Sequence, residues 1–309
     1  MITQIAVADA YGAAYEFAPK PPPNDLIYHQ HPTRKDDANI AEYTDDTQMT
    51  VAIMRHLVSV ADWNQYAIAG CFLKEFKQYP INGYARGFQE FLKGCKTTIS
   101  FMNHISPRSN RNGSVMRAVP VGVLPTVEDV VIYSYIQSSV THCTPNACQA
   151  ATAVALAAHF FYHGLDKHTD ELRKVSEEGA TAHVSKSLRA FLMETIGFNV
   201  QHVDTAVACD ALETAHAAIG LAMKCKSVSS AMKKAVDLGG DTDSVASVAC
   251  GLISLRRDLS IEDRFPPDHL IDGLSDNGRR PLRSMVKLET ELFEKYPRIA
   301  NYVSHGMNK

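Results

Sequence analysis

Alanine-rich apolar segments with helical spacing constrain the fold of this 309-residue chain more than any other feature. Three segments are apolar on nearly every face, as helices at the centre of a helical protein are. They are residues 146–162, 208–225 and 244–255. Residues 47–57 and 61–76 each keep one apolar face, which predicts amphipathic helices. Strand-like alternation is scarce, and residues 130–135, although rich in β-formers, fit a helix equally well. The sequence therefore predicts an all-α fold.

The order of these segments indicates no boundary between domains. Thr144 and Pro145 supply an N-cap and a first-position proline for the central helix. The proline-rich residues 19–23 and the polar residues 29–37 predict a loop, and a long irregular segment inside a compact domain is more often functional than not. We find no repeat, low-complexity segment or linker in the sequence, so we expect one domain over residues 1–309.

Composition and charge exclude several classes of function. A hydrophobic content of 45% and a charged content of 21% are ordinary for a globular protein that buries a full core. The net charge of -3 gives no general attraction to nucleic acids or anionic membranes. The seven cysteines form no CxxC pair, and the sequence shows neither a secretory leader nor a membrane-spanning apolar run. We therefore expect a cytoplasmic monomer with no membrane partner and no general nucleic-acid binding surface.

Two acidic clusters far apart in the sequence carry the clearest chemical signal. They are TDDT at residues 44–47 and GDTDS at residues 240–244, each at the start of an apolar helical segment. Together they offer four carboxylates and several hydroxyls without histidine or cysteine, which is the donor set that a hard divalent cation binds. Aspartates at a helix start also cap its free N–H groups. The second cluster favours a metal, because it follows glycines that let the backbone turn sharply.

The same donor set narrows the choice of metal. Zinc sites recruit histidine or cysteine, and calcium sites use more oxygens from a single loop. Magnesium or manganese is therefore favoured. Four carboxylates around two neighbouring ions are the usual arrangement in two-metal hydrolytic sites, so we expect a pair of ions.

Five motifs in order extend this signal over most of the chain. They are DAYGAAYEF at residues 9–17, YTDDTQM at 43–49, NGSVMRAVP at 112–120, TH at 141–142 and GGDTDS at 239–244. In sequence and in order they resemble the motifs of the ADP-ribosylglycohydrolases. The resemblance implies a compact, orthogonal multi-helix all-α domain with a central metal cleft. It also implies that the cleft holds two magnesium ions, with manganese as a substitute, and binds the ADP-ribose of a modified target.

Residue by residue, the resemblance assigns roles in that cleft. The metal ligands of the family fall on Thr44, Asp45, Asp46, Asp241, Asp243 and Ser244. At position 244 the family usually has threonine, and the serine of this chain keeps the hydroxyl. The family's mobile glutamate falls on Glu16, whose task would be to accept or deliver a proton. With Glu16, the expected catalytic residues are Asp45, Asp46 and Asp241. Asp9 is expected to be an outer carboxylate that supports the metal ligands.

Further motif residues are expected to bind ADP-ribose. They are Asn112, Gly113, Ser114, Met116 and His142. Residues 112–114 are predicted to open a helix that ends near Pro120, so that its first amides face the phosphate oxygens. Arg111 stands where the family usually has glycine. Arg117 is either a phosphate contact or a structural partner, and both readings stay open.

The resemblance implies a hydrolase that cleaves the glycosidic bond between ADP-ribose and a modified target, and ADP-ribosyl-arginine on a protein is the expected substrate. Metal ions would hold the ribose hydroxyls and activate water, and the bond would break through an oxocarbenium-like transition state. One alternative is another ADP-ribosyl linkage, to serine, nucleic acid or a small molecule. A second is a general two-metal phosphoesterase, which the absence of a histidine-rich ligand set disfavours. A third is an inactive ADP-ribose binder, which is disfavoured because Glu16 and the metal aspartates are all present.

Overall fold

The computed structural model of the protein describes residues 1–33, 41–164, 177–274 and 279–299. Within these ranges the chain is helical and has no strand of a sheet, apart from two isolated bridges, Arg108 to His142 and Val207 to Gly240. The helices are α1 (Ile2–Gly12), α2 (Asp45–Val58), α3 (Gln65–Gln78), α4 (Arg86–Gly94), α5 (Thr98–His104), α6 (Val127–Ser139), α7 (Pro145–His163), α8 (Glu177–Ile196), α9 (Ala211–Lys224), α10 (Val228–Leu238), α11 (Thr242–Leu255), α12 (Asp268–Gly273) and α13 (Leu282–Lys295). Short 3-10 turns occur at Asn112–Ser114, Val119–Val123 and Glu262–Arg264. The predicted all-α fold is confirmed.

Helices α1 and α11 form the centre of the fold. Every residue of both helices is buried, so neither helix has a solvent-facing side. Helix α1 packs along α11, and α11 also contacts α7, α9 and α10. The alanine-rich α7 buries most of its length as well, because small side chains let neighbouring helices approach closely. This packing fixes the start of α11, where the second acidic cluster lies.

The segments predicted to be buried helices are helical. Residues 146–162 lie within α7, where the Thr144 hydroxyl caps the helix by accepting a hydrogen bond from the Ala147 N–H. Residues 130–135, which fitted either state, lie within α6. These β-branched residues adopt a helical conformation here, because tertiary contacts outweigh their weak local preference for strands.

The segment 208–225 becomes helical three residues later than predicted. Helix α9 begins at Ala211 because the Asp210 carboxylate accepts from the N–H groups of Leu212 and Glu213, and so acts as the N-cap. Residues 208 to 210 therefore form the approach to the helix and not its first turn.

The predicted helix over residues 112–120 is wrong. Residues 112–114 form a single 3-10 turn, and only a second such turn follows at Val119–Val123. Pro120 has no N–H to offer the carbonyl four residues earlier. That carbonyl, of Met116, accepts from the Thr50 hydroxyl instead, at 3.2 Å. The NGS residues are thus held by a turn and by side-chain contacts, without a helix N-terminus.

The end of α1 is bonded directly to the start of α11. The Thr242 hydroxyl donates to the Gly12 carbonyl, and the Phe17 N–H donates to the Gly240 carbonyl, each at 2.8 Å. Glu16 lies in the turn between these two contacts. The fold therefore brings the first motif of the chain beside the last.

No helix in the described ranges is both long and apolar enough to cross a bilayer. One domain over residues 1–309, the monomeric state and the cytoplasmic location stay predictions.

Candidate functional site

The two acidic clusters meet where two helices begin. Asp45 and Asp46 lie in the first turn of α2, whereas Asp241 stands at the N-cap position of α11 and Asp243 lies in its first turn. The Ser247 hydroxyl of α11 donates to Asp46 Oδ1 at 3.0 Å and so joins the two helices. All four aspartates line one cavity. The fold thus brings the two clusters into a single site.

Burial and mutual repulsion make three of these carboxylates, those of Asp45, Asp46 and Asp243, costly to ionise. Asp46, Asp241 and Asp243 are only 3%, 4% and 6% exposed. Burial, followed by the charges of neighbouring carboxylates, raises the pKa of Asp45 to about 8. The same two causes, in the same order, hold the pKa values of Asp46 and Asp243 well above their usual range. A bound cation would relieve this repulsion, because an opposite charge favours the ionised form.

Glu16 joins the second cluster from the turn after α1. One carboxylate oxygen each from Glu16, Asp241 and Asp243 lies within 4.8 Å of the other two. Glu16 is partly exposed, whereas both aspartates are buried. The three oxygens could therefore hold one metal ion, and Glu16 also faces the cavity that the aspartates line.

Asp9 supports the first cluster from outside the cavity. Its buried carboxylate accepts from the N–H and hydroxyl groups of Thr44 and Thr47, at 2.6 to 3.0 Å. Burial raises the pKa of Asp9 to about 6, although these hydrogen bonds act in the opposite direction. The contacts fix the first turn of α2 and with it the direction of the two aspartates there. Such outer carboxylates commonly orient metal ligands.

Asn112 holds the second cluster in a similar way. Its Nδ2 donates to Asp241 Oδ2 at 3.0 Å and to the Thr214 hydroxyl at 3.1 Å. These contacts use both N–H bonds of the amide. The side chain therefore orients Asp241, and Oδ1 is the polar atom that it can offer to a ligand.

The cavity, of about 470 Å³, is lined by carboxylates and by apolar side chains. The apolar wall consists of Met49, Tyr84, Phe88, Phe91, Ile105 and Met116. The ring centres of Tyr84 and Phe88 are 5.7 Å apart, and those of Phe88 and Phe91 are 5.8 Å apart. Aromatic walls of this kind bind planar apolar groups. The cavity thus suits a ligand with one planar ring system and one group that binds near carboxylates or their cations.

A buried positive charge also lines the cavity. The Arg117 guanidinium is 1% exposed, and it donates to the side chain and carbonyl of Gln137 and to the Thr141 hydroxyl, at 2.7 to 2.9 Å. Among the described residues, none of its hydrogen-bond partners is a carboxylate. Burial lowers the pKa of Arg117 to about 9. These bonds are structural, and an anionic ligand would offset the remaining charge.

Thr141 connects this arginine to His142. The Thr141 hydroxyl accepts from Arg117 and lies 2.6 Å from His142 Nδ1. Burial, and then the charge of Arg117, lower the pKa of His142 to about 3, so the imidazole is neutral near pH 7. When the hydroxyl proton is donated to Nδ1, the imidazole proton lies on Nε2. That atom faces Gly113 at the cavity wall and can donate to a ligand oxygen.

The predicted site residues divide into two groups. Those that line the main cavity are Glu16, Asp45, Asp46, Asn112, Gly113, Met116, His142, Asp241, Asp243 and Ser244. Ser114 is buried, and its hydroxyl donates to the Ala147 carbonyl at 3.4 Å. Thr44 lines a second cavity, of about 250 Å³, and its hydroxyl donates to Asp9 at 2.8 Å.

Several contributors to the site escaped the sequence analysis. Ser247 lies one helical turn beyond Asp243, and that spacing on an otherwise apolar helix was a usable signal. Phe88 and Phe91 have the spacing of ordinary core residues, so nothing local distinguished them. Cys209 lines the cavity beside Asp241, and burial raises the pKa of its thiol to about 12.

These features define an all-α protein with a cleft that is lined both by a candidate cation centre and by aromatic side chains. A profile of the ADP-ribosylglycohydrolase family matches residues 5–298. The chain therefore belongs to the ADP-ribosylglycohydrolase family and is a hydrolase of ADP-ribosyl groups. The family is metal-dependent, and the group of Glu16, Asp241 and Asp243 is a candidate metal site.

Individual relatives are similar at low identity. The ADP-ribosylhydrolase ARH3 of Danio rerio is 24% identical over 291 residues, which cover 79% of this chain and 78% of that protein. The ADP-ribosylarginine hydrolase Tri1 of Pseudomonas putida (strain GB-1) is 24% identical over 307 residues, or 96% of this chain and 77% of that protein. A solved structure described as an ADP-ribosylglycohydrolase-related protein complex superimposes with a TM-score of 0.66 at 20% identity, covering 95% of each chain. That superposition establishes the shared fold.

The raised carboxyl pKa values predict how stability depends on pH. A carboxyl group with a raised folded-state pKa binds its proton more tightly in the folded protein, so its contribution is lost as pH rises through that pKa. With the pKa of Asp45 near 8, the free energy of unfolding in EDTA should fall between pH 6.5 and 8, above the ordinary pKa of histidine at about 6.5. Excess magnesium should reduce this fall, because cations replace the protons.

The melting temperature across this range, with EDTA and with magnesium, measures the effect. Asp45→Asn removes one of the titrating groups and should flatten the EDTA curve. Equal slopes with and without magnesium would contradict the interpretation.

Proposed function

We propose that this enzyme hydrolyses ADP-ribosyl-arginine on a modified protein and uses two magnesium ions. The family gives ADP-ribosyl hydrolysis as the class of reaction. The main support for the rest is the layout of the cavity, in which buried carboxylates, a buried guanidinium and an aromatic wall face one space. ADP-ribose has the matching parts, because it joins a planar adenine through an anionic diphosphate to a ribose.

The donor set fits divalent magnesium. Oxygen atoms alone are offered by Thr44, Asp45, Asp46, Asp241, Asp243 and Ser244, and we propose these six as the metal ligands. The raised pKa values of Asp45, Asp46 and Asp243 support this assignment, because the crowded carboxylates need positive charge to ionise together. When bound, the ions would supply Lewis-acid polarisation of the ribose hydroxyls and of water.

The protein's own groups would orient the substrate and handle the proton. Glu16 is the proposed general acid and base, since its carboxylate lies beside Asp241 and faces the cavity. In the reaction the bond between the ribose carbon and the acceptor nitrogen breaks, and a water oxygen adds to that carbon. Glu16 would hold the water's proton and return it to the leaving guanidine. The neutral His142 would donate Nε2–H to a phosphate oxygen beside the buried Arg117.

The arginine acceptor rests on a comparison between relatives. The Pseudomonas protein, named an ADP-ribosylarginine hydrolase, aligns with 96% of this chain, whereas the Danio ARH3 aligns with 79%. Only the name of the Pseudomonas protein specifies an acceptor, and it supports arginine as the acceptor here.

Release of ADP-ribose from defined substrates tests the proposal. The purified protein should release ADP-ribose from arginine-linked substrate at least about tenfold faster than from serine-linked or nucleic-acid-linked substrate, which corresponds to roughly 1.4 kcal/mol of discrimination. EDTA should abolish release, and magnesium should restore it. No release from any substrate would contradict the proposed function. Release from the serine-linked substrate alone would show that serine, and not arginine, is the acceptor.

The contact between Gly113 and His142 offers a separate test of the phosphate-binding region. A Cβ at Gly113 would lie 2.7 Å from His142 Cε1 and 3.1 Å from Nε2, so the imidazole would have to move. We expect Gly113→Ala to weaken ADP-ribose binding about tenfold, because a misplacement of about 1 Å is costly at a preorganised site.

Titration calorimetry with ADP-ribose measures this effect. Gly94→Ala is the matched control, since no described atom lies within 4 Å of the added Cβ. Both variants should unfold at nearly the same denaturant concentration as the parent protein. Unchanged ADP-ribose affinity in Gly113→Ala would remove His142 from the proposed binding site.

A further inference from the structure

Glu16 lacks the support that a helix gives to the aspartates of the site. Helix α1 ends at Gly12, and a turn leads from there to Phe17. Within the turn, main-chain bonds run from the Tyr15 N–H to the Gly12 carbonyl and from the Ala18 N–H to the Tyr15 carbonyl. Neither bond includes the peptide group between Glu16 and Phe17. The direction of the Glu16 side chain therefore depends in part on what holds that peptide group.

Both ends of the Glu16–Phe17 peptide group are bonded to residues distant in sequence. The Phe17 N–H donates to the Gly240 carbonyl at 2.8 Å, directly before Asp241. At the other end, the Glu16 carbonyl lies 2.8 Å from Nε2 of His31. The peptide group is thus fixed between the second acidic cluster and one imidazole.

The tautomer of His31 follows from its other partner. The Thr33 N–H lies 3.2 Å from His31 Nδ1. An N–H can only donate, so Nδ1 accepts, and the proton of the neutral imidazole lies on Nε2. The Nε2–H therefore donates to the Glu16 carbonyl. His31 is 9% exposed, so water competes little for this bond.

The turn that His31 holds is strained. Phe17 has a φ of 47°, in the left-handed region, which costs a non-glycine residue roughly 1–2 kcal/mol. The Phe17 side chain is 52% exposed, so packing of its ring does little to keep it there. A strained turn persists only where surrounding contacts over-determine it, and such turns cluster at functional sites.

We propose that His31 is a positioning residue, which holds the Glu16 main-chain carbonyl and thereby sets the Glu16 carboxylate beside Asp241 and Asp243 for hydrolysis. The proposal rests on the proposed role of Glu16 in proton transfer. His31 acts through the Glu16 main chain, so it should affect the rate of the chemical step. Binding of ADP-ribose depends on other residues and should change little.

Substitutions at His31 separate the hydrogen bond from the bulk of the ring. His31→Gln keeps an amide N–H near the position of Nε2, whereas the shorter His31→Asn cannot reach it. We expect kcat to fall about tenfold or more in His31→Asn, on the scale of one hydrogen bond to a positioned group. His31→Gln should stay within about threefold of the parent protein. The ADP-ribose dissociation constant should change less than about twofold in both variants.

Chemical rescue gives a second measurement. His31 borders the second cavity, of about 250 Å³, together with His29 and Arg279. In His31→Ala that space should admit free imidazole, which should restore part of kcat. In Glu16→Gln, imidazole should restore nothing, and adding His31→Ala to Glu16→Gln should cause no further loss.

The outcomes separate failure of this proposal from failure of the proposed function. Equal kcat values in the asparagine and glutamine variants would overturn the role of His31, and so would ADP-ribose affinity that falls in parallel with kcat. The proposed function would still stand if the parent protein hydrolyses its substrate and Glu16→Gln does not. Full activity in Glu16→Gln would overturn the catalytic role of Glu16 and with it the role of His31, whereas the proposed function fails only if the parent protein releases no ADP-ribose.

Discussion

Asp241→Asn should abolish hydrolysis and remove the stabilisation that magnesium gives. Asp241 lies at the point where Asn112, Asp243 and Glu16 converge. Asparagine keeps the shape and can still accept from Asn112, but it removes the negative charge that a divalent cation needs. Metal ions supply several kcal/mol of transition-state stabilisation, so we expect kcat/KM to fall by at least about a thousandfold.

In the absence of metal, the same substitution should not destabilise the protein. The charge of Asp241 contributes to the raised pKa values of Asp45, Asp46 and Asp243. Removing that charge lessens the repulsion, so in EDTA the variant should be at least as resistant to urea as the parent protein. Asp204→Asn, at an exposed carboxylate, is the control and should change neither kcat/KM nor the resistance to urea in EDTA. Full activity in Asp241→Asn would remove the second acidic cluster from the mechanism.

Gly240→Ala should have the largest effect on stability. Gly240 has a φ of 82°, and an added Cβ would lie 2.0 Å from the Val207 carbonyl oxygen. That oxygen also accepts from the Asp241 N–H at 2.8 Å, so the two segments cannot separate without losing the bond. We expect the free energy of unfolding to fall by about 3 kcal/mol or more, through strain and the lost contact together.

Gly197→Ala is the matched control for backbone strain alone. Gly197 has a similar φ, of 66°, but no described atom lies within 4 Å of the added Cβ. Gly197→Ala should lower the free energy of unfolding by about 1 kcal/mol, which is the penalty of an alanine in the left-handed conformation. Equal losses of stability in the two variants, measured by urea unfolding, would show that the contact with Val207 contributes nothing. Magnesium affinity should fall in Gly240→Ala only, because that turn carries Asp241.

The helices were predictable because their signal is local. Alanine-rich segments without a polar face indicate helices buried on all sides, and α7 and α11 follow this pattern. Helix boundaries were less predictable where a single side chain decides them, as Asp210 does at the start of α9. The expected helix over residues 112–120 is instead two short 3-10 turns, and the Met116 carbonyl accepts from the Thr50 hydroxyl.

The candidate site was partly readable for a similar reason. Asp45, Asp46, Asp241 and Asp243 are conspicuous, because two carboxylate clusters without histidine or cysteine match the donor set of a hard divalent cation. The contributions of Phe88 and Phe91 could not be read, because an aromatic residue that lines a cleft has the same spacing as one in the core. Ser114 is the opposite case. It belongs to a family motif, and yet its hydroxyl donates to the Ala147 carbonyl in the core.

By itself, the sequence determined the fold class, the family motifs and the oxygen-rich donor set, because these depend on residue type and short spacing. Tertiary structure decided which groups meet. The packing of α1 on α11 brings Glu16 to Asp241 and Asp243, and hydrogen bonds of the Glu16–Phe17 peptide group to His31 and to the Gly240 carbonyl fix the turn that carries Glu16. The contacts of this turn with residues 240–243 join positions more than two hundred apart, and no local pattern encodes them. The burial that they create also raises the carboxyl pKa values, and so makes the two acidic clusters of the sequence a candidate cation centre.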